Sequence, residues 1–230
     1  MLDPRRILLE TFDAALRAVD GEVRVRQALG GFGAVPVHLF AIGKAAGAMA
    51  KGACAALGTR VRRSLVITKD GHADPGLATL PGAQVIESAH PVPDGRSLDA
   101  GAMLEGAITS LPEGIHPVFL ISGGSSSLVE LLHPGVTLDA LRDLNTRGLA
   151  AGWDITRLND ERTKLSRIKR GGVARLLAGR AAHALFISDV PGDDPGVIGS
   201  GLLGQEPGTQ DRVLRIVVAD IDVASRGAAA

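Results

Sequence analysis

Six short apolar runs punctuate this chain: Val37–Ile42, Ser64–Thr68, Ala83–Glu87, Val118–Ile121, Ala184–Ser188 and Arg215–Ala219. Each has the length of a strand and is apolar nearly throughout, the pattern of strands buried on both faces of a sheet. Helical stretches separate them. Asp3-Pro4 supplies an N-cap followed by proline at the first helical position, and Leu8, Phe12, Ala15 and Val19 then recur at helical spacing. Gly30, Gly31 and Gly33 close this opening section. An alanine-rich helix is expected to run to about Leu57, another to be capped by Ser97, and a third to start at Thr137-Leu138. Strands alternating with helices predict an α/β protein: a three-layer, doubly wound, mostly parallel sheet with helices on both faces (Rossmann-like). No internal repeat or low-complexity linker divides the chain, so residues 1–230 read as one α/β domain.

In such folds ligands bind outside the carboxyl ends of the strands. Four of those ends carry Gly43-Lys44, Asp70-Gly71-His72, Ser122-Gly123-Gly124 and Asp189. The third is the most pronounced. Val118–Ile121 stops abruptly in Ser122-Gly123-Gly124, then Ser125-Ser126-Ser127, then Leu128-Val129 of an expected helix. Glycines there let the backbone approach a ligand, and a serine cap with free N–H groups attracts anions. The stretch therefore reads as a holder for phosphate or carboxylate. The plainer reading is an ordinary strand-to-helix turn.

Composition narrows the partners. Lys plus Arg and Asp plus Glu both number 25, so no global basic field favours nucleic acid or an anionic membrane. Aromatics are 3% with no tyrosine, which removes the usual base-stacking platform. Cys54 is the single cysteine and can form neither an internal disulfide nor a cysteine-based metal cluster. No apolar run approaches the roughly 18 residues of a membrane span, and the amino terminus lacks a signal-peptide pattern, so a cytoplasmic location is the default expectation. With 20 arginines and only five lysines, a lysine beside a glycine loop stands out.

Several familiar chemistries lack their motifs. The dinucleotide fingerprint G-x-G-x-x-G is absent from the loop after the first strand, because Lys44 stands between Gly43 and Gly47 where the tight turn would want another glycine. The P-loop pattern and the hydrolase G-x-S-x-G are absent too. Ser166-Arg167-Ile168-Lys169 matches S-x-x-K, without its companion motifs. What remains suits phosphoryl transfer, which needs positioning and charge neutralisation more than a covalent nucleophile. Lys44 could neutralise a phosphate or carboxylate, or simply be an exposed lysine at a helix start. Ser122–Ser127 could cradle phosphate oxygens. Residues 157–175 carry seven cations against Asp160 and Glu161. Arg162, Lys164 and Lys169 among them could add charge, or form a solvated basic face. Asp189 and Asp193 could hold Mg²⁺, or merely belong to a turn rich in proline, glycine and aspartate.

The segments AIGKAAGAMA (41–50), TKDGHA (68–73), SAHPVPDGRS (88–97), LISGGSSSL (120–128), LNDERTKLSRIKRGG (158–172) and SDVPGDDPGVIGSG (188–201) resemble the N-terminal domain of the glycerate 2-kinases. The resemblance extends to about Ala219. It implies ATP- and Mg²⁺-dependent phosphorylation of D-glycerate at its 2-hydroxyl. Some members of that family were named hydroxypyruvate reductases, which supplies a nicotinamide-dependent alternative. A third alternative is a non-catalytic phosphate- or nucleotide-binding module.

Carried onto this sequence, the resemblance implies Lys44, Arg162 and Asp189 as catalytic residues. It implies Ser122, Gly123, Gly124, Ser125, Ser126 and Lys169 as ATP-binding, Asn159 at the cleft, and Asp189 and Asp193 as metal ligands. Four departures bear on substrate detail: Ser125 replaces a third glycine, Thr163-Lys164 replaces Lys-His, Arg170 precedes Gly171-Gly172 as an extra residue, and Leu202 replaces proline. The family also has a second domain across its cleft, so this sequence is expected to be either a fragment or a natural single-domain relative, with half of the expected site outside it. The chain alone is therefore expected to show weak or no kinase activity, with a second copy or a partner chain able to complete the cleft.

Overall fold

A computed structural model describes residues 3–153, 155–205 and 211–229. Six strands form one sheet: β1 (Val37–Ile42), β2 (Val61–Lys69), β3 (Ala83–Ser88), β4 (His116–Ile121), β5 (Ala182–Ile187) and β6 (Val213–Ala219). Their order is β3-β2-β1-β4-β5-β6, and every neighbouring pair is parallel. The chain winds outward from β1 to β3, then crosses back to β4 on the other side of β1. β1 and β4 therefore flank the point where the winding reverses, and both turn away from the sheet there. Their register is even, with Ile42 opposite Ile121, so Gly43 and Ser122 emerge side by side.

Both faces are covered, which is why the strands are apolar at successive positions. Phe40, Ile42, Leu65, Phe119 and Phe186 point to one core, packed with Leu104 and Ile108 of α4 (Gly95–Thr109). The Phe40 and Phe119 rings stack there at 4.9 Å. Leu39, Ala41, Val66, Leu120 and Leu185 point to the other core, against α3 (Ala46–Leu57) and Val25 of α2 (Gly21–Ala28). Small residues on α3 let α2 approach closely: a Cβ at Gly52 would overlap the Glu22 carbonyl.

Local chemistry corrects three details of the sequence reading. The opening helix ends at Ala18 as α1 (Pro4–Ala18), because the Asp20 side chain accepts the Val23 N–H and starts α2 afresh. The cap of α4 is Asp94, whose carboxylate accepts the Arg96 N–H. Ser97 is buried in the first turn and donates to the Asp94 carbonyl at 2.6 Å. The serine run forms only one turn, α5 (Ser125–Leu128), capped by Gly124 in the left-handed region with no serine acting as cap.

The remaining helices are α6 (Leu138–Ala150), α7 (Ile155–Thr163), α8 (Gly172–Leu176) and α9 (Ile221–Ala229). α6 starts at the Thr137 cap as its sequence indicates. α1 packs on α9, with Gly227 seated against Ala18. Among the described residues neither helix buries a side chain, so the Leu8 and Phe12 stripe of α1 lies open. No helix among them is long and apolar enough to cross a membrane.

Candidate functional site

The site is built where β1 and β4 end. The Gly43 N–H donates to Ile67 and the Ser122 N–H to Ile42, each at 3.0 Å, extending the sheet by one residue beyond the strands. The next links cross directly between the two loops. The Lys44 N–H donates to the Gly123 carbonyl at 2.9 Å, and the Ala45 N–H to the Ser122 hydroxyl at 3.0 Å. Gly43 has φ +128° and its Cα lies against Ser122, so a side chain at either demand would be excluded. Thr68, fully buried at the end of β2, holds the Gly43 carbonyl from below at 3.1 Å.

Three side chains gather on this frame. Gly124, at φ +90°, leaves its Cα face open to the Lys44 stem and the His90 ring, both of which a Cβ would press against. Gly123 leaves room for the Asp189 carboxylate, which a Cβ would displace. Lys44 and Asp189 therefore lie on the same edge of the sheet, on either side of the glycine pair. Lys44 is exposed, and the His72 ring nitrogen lies 3.3 Å from its carbonyl. Burial holds the His90 pKa below its ordinary value, helped by the positive charges of Lys44 and Lys69 and by His72. Lys44, Lys69 and His72 thus bring positive charge to the His90 ring, with the Asp189 carboxylate across the glycine pair. Arg96 braces two of its loops, donating to Asp70 at 2.5 and 2.9 Å and to Asp94 at 2.8 Å.

The serines face inward. Ser122 and Ser125 are buried, and the Ser125 hydroxyl has no partner and packs on Gly199. Ser126 and Ser200 share a hydrogen bond of 2.7 Å. The loop is thereby tied to residues 196–202, which in turn accept from the Arg170, Gly171 and Val173 amides.

The basic segment is largely neutralised from within. Lys164 pairs with Glu161 at 2.5 Å, Arg167 with Glu105 at 2.6 Å and Arg170 with Asp160 at 3.5 Å. Lys169 is fully buried and donates to Glu130, itself 1% exposed. The same carboxylate accepts the Ser166 hydroxyl at 2.5 Å and the Leu131 N–H at 3.0 Å. Burial pushes the Lys169 pKa down, and the Glu130 charge opposes that push. Arg162, on α7 with Asn159, is mostly buried, and its Nε finds no partner. Burial lowers its pKa, again opposed by Glu130. Asp189 is exposed and Asp193, at φ 52°, is half-buried.

Of the residues singled out by sequence, Lys44, Ser122, Gly123, Gly124 and Asp189 meet at one place. Ser125 and Ser126 lie behind them, while Arg162 and Lys169 belong to the buried cluster around Glu130. Three contributors were not singled out: His90, Arg96 and Glu130. The first two stand within the quoted loop segment 88–97 beside Pro91 and Asp94, a signal in itself. Glu130 sits in the apolar run LVELL with nothing local to mark it.

Strand order and converging loops define a doubly wound α/β protein whose loops gather where the winding reverses. The chain belongs to the family described as Domain of unknown function (DUF4147), whose model matches residues 7–226. A D-glycerate 2-kinase from Thermotoga maritima is 33% identical over 220 residues, covering 94% of this chain and 52% of its own length. A protein from Agrobacterium vitis bearing the name hydroxypyruvate reductase is 36% identical, over 89% of this chain and 46% of its own. The crystal structure of a glycerate kinase from T. maritima superposes with a TM-score of 0.88 at 28% identity, covering 97% of this chain and 60% of that one. The chain spans about half the length of the curated relatives it matches.

Proposed function

We propose that this chain carries the ATP-binding half of a glycerate 2-kinase, transferring the γ-phosphoryl group of ATP to the 2-hydroxyl of D-glycerate. One observation carries the reading: an exposed lysine and an exposed carboxylate flank a bare glycine pair at the point where the winding reverses. Relatives named glycerate 2-kinases support the substrate.

In this reading Lys44 neutralises phosphate oxygens beside Gly123 and Gly124, whose missing side chains leave the backbone approachable. Ser122, Ser125 and Ser126 shape the loop from behind. Arg162 adds positive charge from the buried cluster behind the loop, where Glu130 holds Lys169. Among the described residues no cation pairs with Asp189 or Asp193, whose hard oxygen donors suit Mg²⁺, an ion commonly held by one or two carboxylates plus substrate phosphates. When bound, that ion would neutralise charge on the β- and γ-phosphates. The glycerate 2-oxygen bonds to γ-phosphorus as the bond to the bridging oxygen breaks. ADP leaves, and the hydroxyl proton passes to a carboxylate, for which Asp189 is the candidate. The other wall of the cleft would come from the part of the relatives that this chain does not match.

Strand order 3-2-1-4-5-6 is also that of dinucleotide-binding folds, and two relatives bear a reductase name, so a reductase is the second reading. Lys44 in place of the turn glycine weighs against it. Phosphorus-31 spectra of the protein with Mg²⁺, ATP and D-glycerate test the choice. The kinase reading expects a 2-phosphoglycerate resonance growing with ADP, slowly for this chain alone, at a rate that falls at least tenfold in Lys44→Ala. Oxidation of NADH by hydroxypyruvate with no phosphoglycerate formed would replace it with the reductase.

A further inference from the structure

A cavity of about 510 Å³ opens at the carboxyl ends of β5 and β6, between them and the α1–α9 pair. Its size is that of a small-molecule site, roughly 300–1,000 Å³. Val19, Ile187, Pro191 and Ile221 form its walls, and the carboxylates of Asp189, Asp193 and Asp220 border it. We infer that this cavity receives the nucleoside half of the phosphate donor, with the base between the aliphatic walls and a ribose hydroxyl on the Asp220 carboxylate. The inference rests on the phosphate site proposed above and extends it by one subsite.

Three observations carry it. The first is continuity. Asp189 lines the cavity, and its carboxylate also packs on Gly123, whose carbonyl receives the Lys44 N–H. One residue thus joins the cavity to the mouth that holds Lys44, and a molecule reaching from one to the other passes the two aspartates. The second is charge. No cationic side chain lines the cavity while three carboxylates do, so a phosphate would be repelled and a neutral group bearing hydroxyls is favoured. Carboxylates accept from ribose hydroxyls, as they do in dinucleotide sites. Asp220 spends one oxygen on the Val223 N–H at 2.7 Å, capping α9, and keeps the other free for a hydroxyl. The third is the walls. A flat heteroaromatic base loses little by leaving water for aliphatic surface, whereas the glycerate skeleton is too small and too polar to fill this volume. An anionic end at Lys44, a divalent cation at the aspartates and a neutral ring system beyond them is the layout of a nucleoside triphosphate.

The test compares Mg·ATP with Mg·tripolyphosphate, which keeps the phosphates and lacks the nucleoside, by calorimetric titration. Wild-type protein is expected to bind Mg·ATP at least tenfold more tightly. Ala224→Phe, which fills the cavity from α9, is expected to bring ATP to the tripolyphosphate level while leaving tripolyphosphate unchanged. Ile221→Glu, at an exposed position that tolerates charge, is expected to act in the same direction and carries the test if Ala224→Phe fails to fold. Equal affinities of the two ligands for wild type would overturn the inference, as would unchanged ATP affinity in the variants or a parallel loss of both ligands in folded Ile221→Glu. The outcome is separable from that of the kinase reading. Discrimination for ATP with NADH-dependent reduction of hydroxypyruvate in place of phosphoglycerate formation would end the kinase and leave the subsite. Phosphoglycerate formation with cavity variants of unchanged ATP affinity would end the subsite alone.

Discussion

Gly43, Gly123 and Gly124 hold the candidate site together by what they lack. Each leaves its Cα open to a group from another loop: Ser122, Asp189, and the pair Lys44 and His90. Gly123→Ala is expected to keep the fold, since the Asp189 carboxylate can swing away from a new methyl group. It should nonetheless weaken Mg·ATP binding, because that carboxylate leaves its place beside the loop; titration of the folded variant checks this. Lys44 and Lys51 make a sharper comparison. Lys51 is engaged with Asp74 at 2.6 Å, while Lys44 faces the glycine pair. A charge-assisted contact is worth about 1.5–3 kcal/mol, or roughly a tenfold to hundredfold change in affinity. Lys44→Ala should lose that much affinity for phosphate or nucleotide and Lys51→Ala almost none. Equal affinities for the two variants would remove Lys44 from the site. Lys44 and Gly123 were readable in the sequence because glycine at a strand end is a local signal. Glu130 was not, because its burial depends on Lys169, 39 residues further along.

At the scale of elements, the six strands were readable to within a few residues, since being buried on both faces writes a continuous apolar run. Helix ends were less so. Asp20, Asp94 and Gly124 took the caps through side-chain reach and backbone conformation, which spacing alone does not reveal. The basic segment between α7 and α8 shows the difference most clearly. Its charges read as a patch along the chain, yet Glu105 and Glu130 arrive from α4 and from beyond α5 to pair with Arg167 and Lys169. The Glu130 cluster binds this segment to the strand-end loop through the Leu132–Ser166 bridge and the Arg167 N–H to Leu131 carbonyl bond of 2.7 Å. Glu130→Gln leaves a buried cation without its counter-charge and is expected to cost about 3–5 kcal/mol of stability. Glu130→Leu combined with Lys169→Met removes both charges and should recover most of that loss. Urea unfolding of the single and double variants checks the pair, and a double variant no more stable than the single would contradict it.

At the scale of the whole molecule, histidines stand at both edges of the sheet. Its carboxyl edge gathers Lys44, Lys69, His72 and His90, and its amino edge carries His116 and His183, joined at 2.8 Å with the Phe32 ring against both. Burial holds His38, His90, His116 and His183 below the ordinary value of about 6.5, with Arg63 adding to His38, the neighbouring cations to His90 and His183 to His116. The fold thus favours their neutral forms, while the unfolded chain takes up protons near its ordinary value. Stability should be full above about pH 7 and fall as pH drops below about 6.5, before carboxylates begin to titrate. Urea midpoints at about pH 7.5 and 5.5 measure this, and His116→Asn with His183→Asn should reduce the difference, leaving the share of His38 and His90.

The parallel sheet itself was readable from alternating strands and helices, and with it the expectation that every loop of interest shares one edge. Which loops touch was not, because that depends on the crossover from β3 to β4 that seats β4 beside β1. The claim on which the functional account turns is that nucleotide binds at that junction. Amide proton–nitrogen spectra of the labelled chain, titrated with Mg·ATP, locate the contact directly. The largest shifts are expected at Gly43, Lys44, Gly123, Gly124 and Asp189, with the amides of His116 and His183 at the opposite edge unmoved. Shifts centred on that opposite edge, or none at millimolar Mg·ATP, would contradict the account.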